Sequence, residues 1–187
     1  MTQFFLYGPD GIASDLLLAC AKAATAAGEC SSIVVEASTS AQTIAALQNL
    51  SLATLLRDCE PEHVLALKAD GLHLTSTQAL GAARATLKNE NLGVLVCASR
   101  HAAMEAAEAG ADYVAFGQTK QYAGEPIIGW WHDVTQIPSV AFDPVEPEQL
   151  EKLLAQEPDF IRPADAMWES AEAATRIISA LGKGLPK

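Results

Sequence analysis

The chain has 187 residues, of which 50% are apolar and 19% charged, with a formal net charge of −11 at pH 7. This composition provides enough apolar side chains for a sizeable core and predicts a single domain over residues 1–187. Lys and Arg form no cluster in the sequence. Because nucleic acid is bound by a basic face, the sequence argues against nucleic acid as a partner.

Neither a membrane span nor a secretory signal is expected, since no apolar run approaches 18 residues and no basic segment precedes an apolar one at the start. The four cysteines, Cys20, Cys30, Cys59 and Cys97, form no C-x-x-C pair, so a zinc site is not indicated. We therefore predict a cytoplasmic protein with reduced cysteines and no membrane partner.

Short apolar runs ended by turn residues recur along the chain and predict eight strands. Their expected ranges are 4–7, 32–36, 52–56, 71–74, 92–97, 113–116, 139–142 and 159–162. The segments between them, several with Ser or Pro at the start, predict helices. Those ranges are 14–27, 41–50, 60–67, 76–88, 100–109, 130–134, 146–155 and 170–181.

Eight strands alternating with about eight helices predict an α/β protein with a compact (β/α)8 TIM barrel. An open doubly wound sheet is the alternative, and it requires a G-x-G-x-x-G phosphate turn after the first strand. Gly8-Pro9-Asp10-Gly11 lacks that spacing. We therefore favour the barrel, in which chemistry takes place at the carboxyl ends of the strands.

Polar residues at or just after the predicted strands are the candidates for this end of the barrel. They are Tyr7, Asp10, Glu36, Asp58, His73, Ser99, His101, Gln118, Lys120, Asp143 and Arg162. Their types suit acid–base chemistry and oxyanion binding. His73 is either a hydrogen-bonded core histidine or a functional one. Asp70 and Asp112 precede their strands, so we expect a structural role at the opposite end, either capping the preceding helix or bonding a turn amide.

Several of these candidates have two interpretations. Ser99 opens a helix and either only caps it or also contacts a ligand there. Lys120 is either solvated or bound to a phosphate or carboxylate. Arg57 and Asp58 form either a surface ion pair or part of the site. Trp130-Trp131 is either buried over the barrel edge or exposed as a partner or homo-oligomer contact.

Four motifs occur in an order that resembles thiamine phosphate synthases and their thiazole tautomerase relatives. The family reads N-D, A-D-G-V-H-L-G-Q, S-T-H and G-A-D-Y-[IV]-x-F-G-P. This chain has Arg57-Asp58, A-D-G-L-H-L at 69–74, Ser99-Arg100-His101 and G-A-D-Y-V-A-F-G at 110–117. The resemblance implies a barrel that joins hydroxymethylpyrimidine diphosphate to a thiazole phosphate and releases diphosphate with the help of Mg2+.

By position, the resemblance implies that Asp58 is a metal-associated carboxylate, that Ser99 contacts diphosphate near the reacting centre, and that Lys120 binds diphosphate. Other family elements are replaced. The second strand supplies no Gln, Arg or Lys, the segment 75–78 has no acid, and Phe142-Asp143-Pro144 stands in place of G-G-I. At the last strand, Arg162 could replace backbone amides as an anion clamp.

We therefore predict a divergent thiamine phosphate synthase-like transferase that takes a phosphorylated small molecule. Its candidate catalytic residues are Ser99 and His101, its phosphate-binding residues Ser99, Lys120 and Arg162, and its metal residue Asp58, holding Mg2+. The first alternative is a non-catalytic small-molecule-binding or regulatory barrel that meets a partner through Trp130-Trp131. The second is an isomerase or lyase with His73 or His101 as its base.

Overall fold

A computed structural model describes residues 1–117 and 126–185 of the chain. Its eight strands are parallel and pair in chain order, and the first strand also pairs with the last, from Gln3–Phe160 to Phe4–Ile161. The sheet is therefore closed. This confirms the (β/α)8 barrel and rules out the open sheet, in which these two strands would not pair.

The strands lie close to their predicted positions. They are β1 Gln3–Tyr7, β2 Cys30–Glu36, β3 Ala53–Arg57, β4 Gly71–Leu74, β5 Asn91–Leu95, β6 Tyr113–Phe116, β7 Ser139–Val145 and β8 Phe160–Pro163. The fifth ends two residues earlier than predicted, at Leu95. Cys97 has a φ of 49°, in the left-handed region, which a strand cannot continue through.

The helices alternate with the strands. They are α1 Ser14–Ala27, α2 Ala41–Gln48, α3 Pro61–Leu67, α4 Leu80–Thr86, α5 Arg100–Glu108, α6 Ile127–Val134, α7 Leu150–Leu154 and α8 Ala171–Gly182. Short 3-10 turns at Thr77–Ala79, Pro147–Gln149 and Asp165–Glu169 precede α4, α7 and α8. No helix among the described residues is long and apolar enough to cross a membrane.

Alternation along the strands separates two cores. One set of buried side chains packs between the sheet and the helices, and a smaller set fills the barrel interior. The interior set includes Phe5, Leu55, Tyr113 and Phe142. Gly93 makes room for Tyr113, because a Cβ at this position would collide with the phenol ring. Aromatic and aliphatic side chains therefore fill the barrel interior. The mouth of the barrel is the opening above them, at the carboxyl ends of the strands.

Three aspartates, each just before a strand, accept a hydrogen bond from a backbone N–H near the start of the strand that comes before it in the chain. In each, a carboxylate oxygen accepts from a backbone N–H at 2.8 Å, and the pairs are Asp70 with Thr54, Asp112 with Leu92 and Asp159 with Ser139. The structural role predicted for Asp70 and Asp112 is thereby confirmed. These residues lie at the end of the barrel opposite the mouth.

The two adjacent tryptophans have different environments. Trp131 is buried, its Nε1 donates to the carbonyl of Ile137 at 2.8 Å, and its ring meets Phe116 edge-on. Trp130 is half-buried, and the Arg100 guanidinium lies 4.7 Å from its ring centroid. Burial is therefore the correct interpretation for Trp131, and it leaves only Trp130 for a partner contact.

Candidate functional site

Two arginines meet at the carboxyl-end mouth of the barrel. Arg57 ends β3 and Arg162 lies in β8. The Arg57 Nη1 donates to the Tyr7 hydroxyl at 2.7 Å, and its Nη2 pairs with Asp10. The Nη2 of Arg162 pairs with Asp165 at 2.6 Å. A chain with a large negative net charge thus gathers two cations at one place.

Aromatic rings fix both guanidinium groups. The Cζ of Arg57 lies 4.9 Å from the centroid of the Tyr7 ring, and the Cζ of Arg162 lies 4.6 Å from the same centroid. Arg162 also lies 4.8 Å from the centroid of Phe142. Cation–π contacts of this kind are worth about 0.5–2 kcal/mol each. The Tyr7 ring therefore joins the two arginines into one cluster.

The arginines are buried far more than their carboxylate partners. The side chains of Arg57 and Arg162 are 15% and 14% exposed, whereas those of Asp10 and Asp165 are 80% and 57% exposed. The Nε of Arg162 is buried and has no hydrogen-bond partner among the described residues. The guanidinium groups are therefore held in place by their surroundings, whereas their carboxylate partners lie largely in solvent.

The charge of Arg57 is secured by its neighbours. Burial lowers the pKa of Arg57, but the hydrogen bond and charge of Tyr7 and the charge of Asp10 outweigh it, and the pKa stands above its ordinary value. Arginine remains protonated at any physiological pH in any case. The guanidinium charge of Arg57 is therefore permanent, and it stands opposite the carboxylate of Asp10.

His73 lies fully buried beneath this cluster. Its Nδ1 is 2.7 Å from the Tyr113 hydroxyl, and its Nε2 has no partner among the described residues. Burial lowers the pKa of His73 to about 3, with Arg57 and Arg162 adding to the effect and Asp58 opposing it. The imidazole is therefore neutral at pH 7. It is a hydrogen-bonded core histidine, one of the two interpretations of the sequence.

Asp58 is bound by the turn after β4. Its Oδ1 accepts from the Thr75 N–H and its Oδ2 from the Thr75 hydroxyl, both at 2.8 Å. Of the two interpretations of Arg57 and Asp58, the surface ion pair between them is not the one found, because Arg57 pairs with Asp10 instead. Asp58 has a φ of 45°, in the left-handed region, so the chain turns here and β3 ends at Arg57.

The donors near Asp58 do not fit a magnesium ion. Mg2+ requires a near-octahedral set of oxygen ligands, which usually includes carboxylates. Both Asp58 oxygens already accept from Thr75, so an ion bound by Asp58 would compete with a backbone N–H and a hydroxyl donor. The metal role of Asp58 therefore gains no support from its surroundings.

Ser99 and His101 lie at the start of α5. The Ser99 hydroxyl accepts from the Ala102 N–H at 3.1 Å, so it caps the helix as predicted. The His101 side chain is 85% exposed, with its Nε2 3.4 Å from Glu105 on the outside of the helix. The catalytic role of both residues and the phosphate contact of Ser99 remain predictions.

Of the remaining candidates, some lie at the mouth and others lie outside the residues that the structure describes. The Glu36 carboxylate accepts from the Gly11 N–H at 2.9 Å and so holds the loop after β1. Lys120 and Gln118 lie outside the described residues. Sequence reasoning chose Arg162 but missed Arg57 as its companion. The signal was available, because Arg57 is two residues after the interior-facing Leu55 and therefore faces the same side of its strand.

The family model and the similar proteins of known sequence all point to thiamine phosphate synthases. The family model described as thiamine monophosphate synthase matches residues 17–162. A thiamine-phosphate synthase of Erythrobacter litoralis is 41% identical over 120 residues, which are 58% of this chain and 56% of that protein. One of Rhodospirillum centenum is 31% identical over 132 residues, 65% of this chain and 63% of that protein. The matched part thus spans less than two thirds of either relative.

Solved structures share the fold at low identity. A thiamine phosphate pyrophosphorylase from Pyrococcus furiosus superposes with a TM-score of 0.75 and 18% identity, covering 97% of this chain and 94% of that one. A 3-hexulose-6-phosphate synthase gives 0.74 at 12% identity, covering 98% and 100%. At such identities the likeness concerns the barrel alone.

Proposed function

We propose, since this chain belongs to the thiamine monophosphate synthase family, that it binds phosphorylated small molecules at the mouth formed by Arg57 and Arg162. The reaction proposed for this site joins hydroxymethylpyrimidine diphosphate to a thiazole phosphate. The single observation that carries the proposal is the pair of buried guanidinium groups, each joined to an exposed carboxylate.

The arginines suit this chemistry through their charge. In the reaction, the bond between the pyrimidine methylene carbon and a diphosphate oxygen breaks, and diphosphate leaves with the electron pair. The thiazole nitrogen then forms the new bond to that carbon. Fixed guanidinium groups bind phosphate through paired charge-assisted hydrogen bonds and stabilise the charge that grows on the leaving group. Phosphate oxygens would replace the carboxylates of Asp10 and Asp165 as the acceptors of these hydrogen bonds.

The remaining residues have supporting roles in this proposal. Ser99 would contact a phosphate at the start of α5, where its hydroxyl caps the first turn and a helix N-terminus favours an anion. Lys120 follows β6 in the sequence and would add a third cation. His101 stays a candidate acid or base on the outer face of α5. Removal of one donor of this kind typically costs about 10²–10³ in rate.

A second candidate function is binding without catalysis. It is favoured by the acidity of the same mouth, where Asp10, Glu36 and Asp165 accompany the two arginines. Carboxylates repel a diphosphate more than a monophosphate, because the repulsion grows with ligand charge. A barrel of this kind would hold a phosphate monoester such as the product of the reaction.

One set of measurements separates these functions. The protein is incubated with both precursors and Mg2+, thiamine phosphate is quantified, and binding of thiamine phosphate is measured by calorimetry. Product formation supports the transferase, and binding without product supports the second candidate. Arg162→Gln should weaken binding about tenfold or more, since hydrogen bonds to charged groups contribute about 1.5–3 kcal/mol. Arg176→Gln, an exposed arginine on α8, is the matched control, and absence of both product and binding overturns the proposal.

A further inference from the structure

The carboxylate that the family resemblance assigns to a metal is used here to join two strands. Asp58 follows β3 and Thr75 follows β4, and the two hydrogen bonds between them tie the carboxyl ends of these strands together. A cation that took an Asp58 oxygen would have to displace a backbone N–H or a hydroxyl donor. That exchange leaves a donor without its partner, which costs free energy where water cannot replace it.

Positive charge is already present at this end of the barrel. Arg57 is the sequence neighbour of Asp58, and the charges of Asp58, Arg57 and Arg162 all act on the same buried imidazole of His73. The two guanidinium groups therefore already supply, at this end of the barrel, the kind of charge that a divalent cation would bring to a phosphate.

We infer that Arg57 and Arg162 supply, in place of a divalent cation, the positive charge that holds a phosphate group in this protein. Binding of the phosphorylated ligand is consequently independent of Mg2+. This inference rests on the proposed function and specifies how its site works.

The arrangement of the arginines meets the requirements of such a site. Tyr7 and Phe142 hold the guanidinium planes, so little side-chain freedom is lost when a ligand arrives. The Arg162 side chain is only 14% exposed, so the surrounding protein already fixes its position. Since the neighbouring carboxylates are mostly exposed, their exchange for phosphate oxygens keeps the guanidinium charges compensated.

The test is calorimetric binding of thiamine phosphate to the full chain in excess EDTA and in excess Mg2+. We expect dissociation constants that agree within about threefold, because no bound cation contributes to the contact. Arg57→Gln and Arg162→Gln should each weaken binding about tenfold or more in both buffers. Arg176→Gln should match the parent protein, and circular dichroism should verify the fold of all three variants.

A direct metal measurement complements the calorimetry. Mn2+ is added as a spectroscopic substitute for Mg2+, and its paramagnetic resonance signal is followed with and without thiamine phosphate. We expect the protein to add no bound Mn2+ beyond what thiamine phosphate binds alone. Binding only in Mg2+, or protein-bound Mn2+ that appears with the ligand, overturns the inference and leaves the proposed function intact. Absence of binding in both buffers overturns the proposed function itself.

Discussion

The Nδ1 of His73 lies 2.7 Å from the hydroxyl of Tyr113 inside the barrel, and both side chains are buried. The imidazole also stacks on Phe142, with ring centroids 5.5 Å apart and planes 13° from parallel. Below the arginine cluster, this pair places polar atoms in an interior of aromatic and aliphatic side chains. Burial raises the pKa of Tyr113 well above its ordinary value, so the phenol keeps its proton.

Tyr113→Phe removes this hydrogen bond with little change in shape. It leaves the His73 Nδ1 buried without a partner, which we expect to cost about 1–3 kcal/mol of unfolding free energy. Urea unfolding at neutral pH measures the loss. The double variant with His73→Phe isolates the bond, because Tyr113→Phe should cost less once the imidazole is gone. Equal costs in both backgrounds would refute the assigned bond.

His73 also predicts a pH dependence of stability. Its pKa is about 3 in the folded protein and near its ordinary 6.5 in the unfolded chain. The unfolded state therefore binds the extra proton between these values, and stability is full above pH 6.5 and falls as the pH drops toward 3. The slope from one such group is at most about 1.4 kcal/mol per pH unit.

His73→Gln should remove this component of the slope. The measurement is the difference in unfolding free energy between the parent and the variant at several pH values in this window. His101→Gln is the control, since its side chain is 85% exposed. A difference that stays constant with pH would show that His73 does not remain neutral in the folded state.

The strand order and the barrel could be predicted from the sequence because each unit carries local signals. Apolar runs ended by turn residues repeat often enough to count eight strands, and Asp70 and Asp112 mark the amino ends of two of them. The predicted end of a strand was wrong where the backbone departs from regular strand geometry. The φ of 49° at Cys97 ends β5 early, and no residue type other than Gly announces such a conformation reliably.

The site was less predictable because its contacts join distant parts of the chain. Arg57 and Tyr7 are 50 residues apart in sequence, and only barrel closure brings them together. The sequence neighbour Asp58 was one candidate partner for Arg57, but Asp58 bonds to Thr75 after β4, whereas Arg57 pairs with Asp10 after β1. Arg162 was identified because it ends the predicted last strand, 159–162. Its aromatic partners, Tyr7 and Phe142, come from other strands.

Asp70 should matter for stability and not for the mouth. Its Oδ2 accepts from the Thr54 N–H at 2.8 Å and from the Gln48 Nε2 at 3.0 Å, at the amino end of the barrel. Asp70→Ala should cost about 1–3 kcal/mol, and Asp70→Asn less, because the amide oxygen can still accept. Urea unfolding gives the costs. Thiamine phosphate affinity should stay unchanged in Asp70→Asn, and its loss with the fold intact would contradict this division of roles.

Ser99 allows its cap and its proposed phosphate contact to be separated. Its hydroxyl accepts from the Ala102 N–H, so Ser99→Ala should cost about 1 kcal/mol of unfolding free energy. Asp is an equally good cap, so Ser99→Asp should keep this stability, while its negative charge repels a phosphate at the start of α5. We therefore expect Ser99→Asp to unfold at the parent's urea concentration and to bind thiamine phosphate several-fold more weakly. If Ser99→Asp binds as tightly as the parent, Ser99 caps the helix and has no part in anion binding.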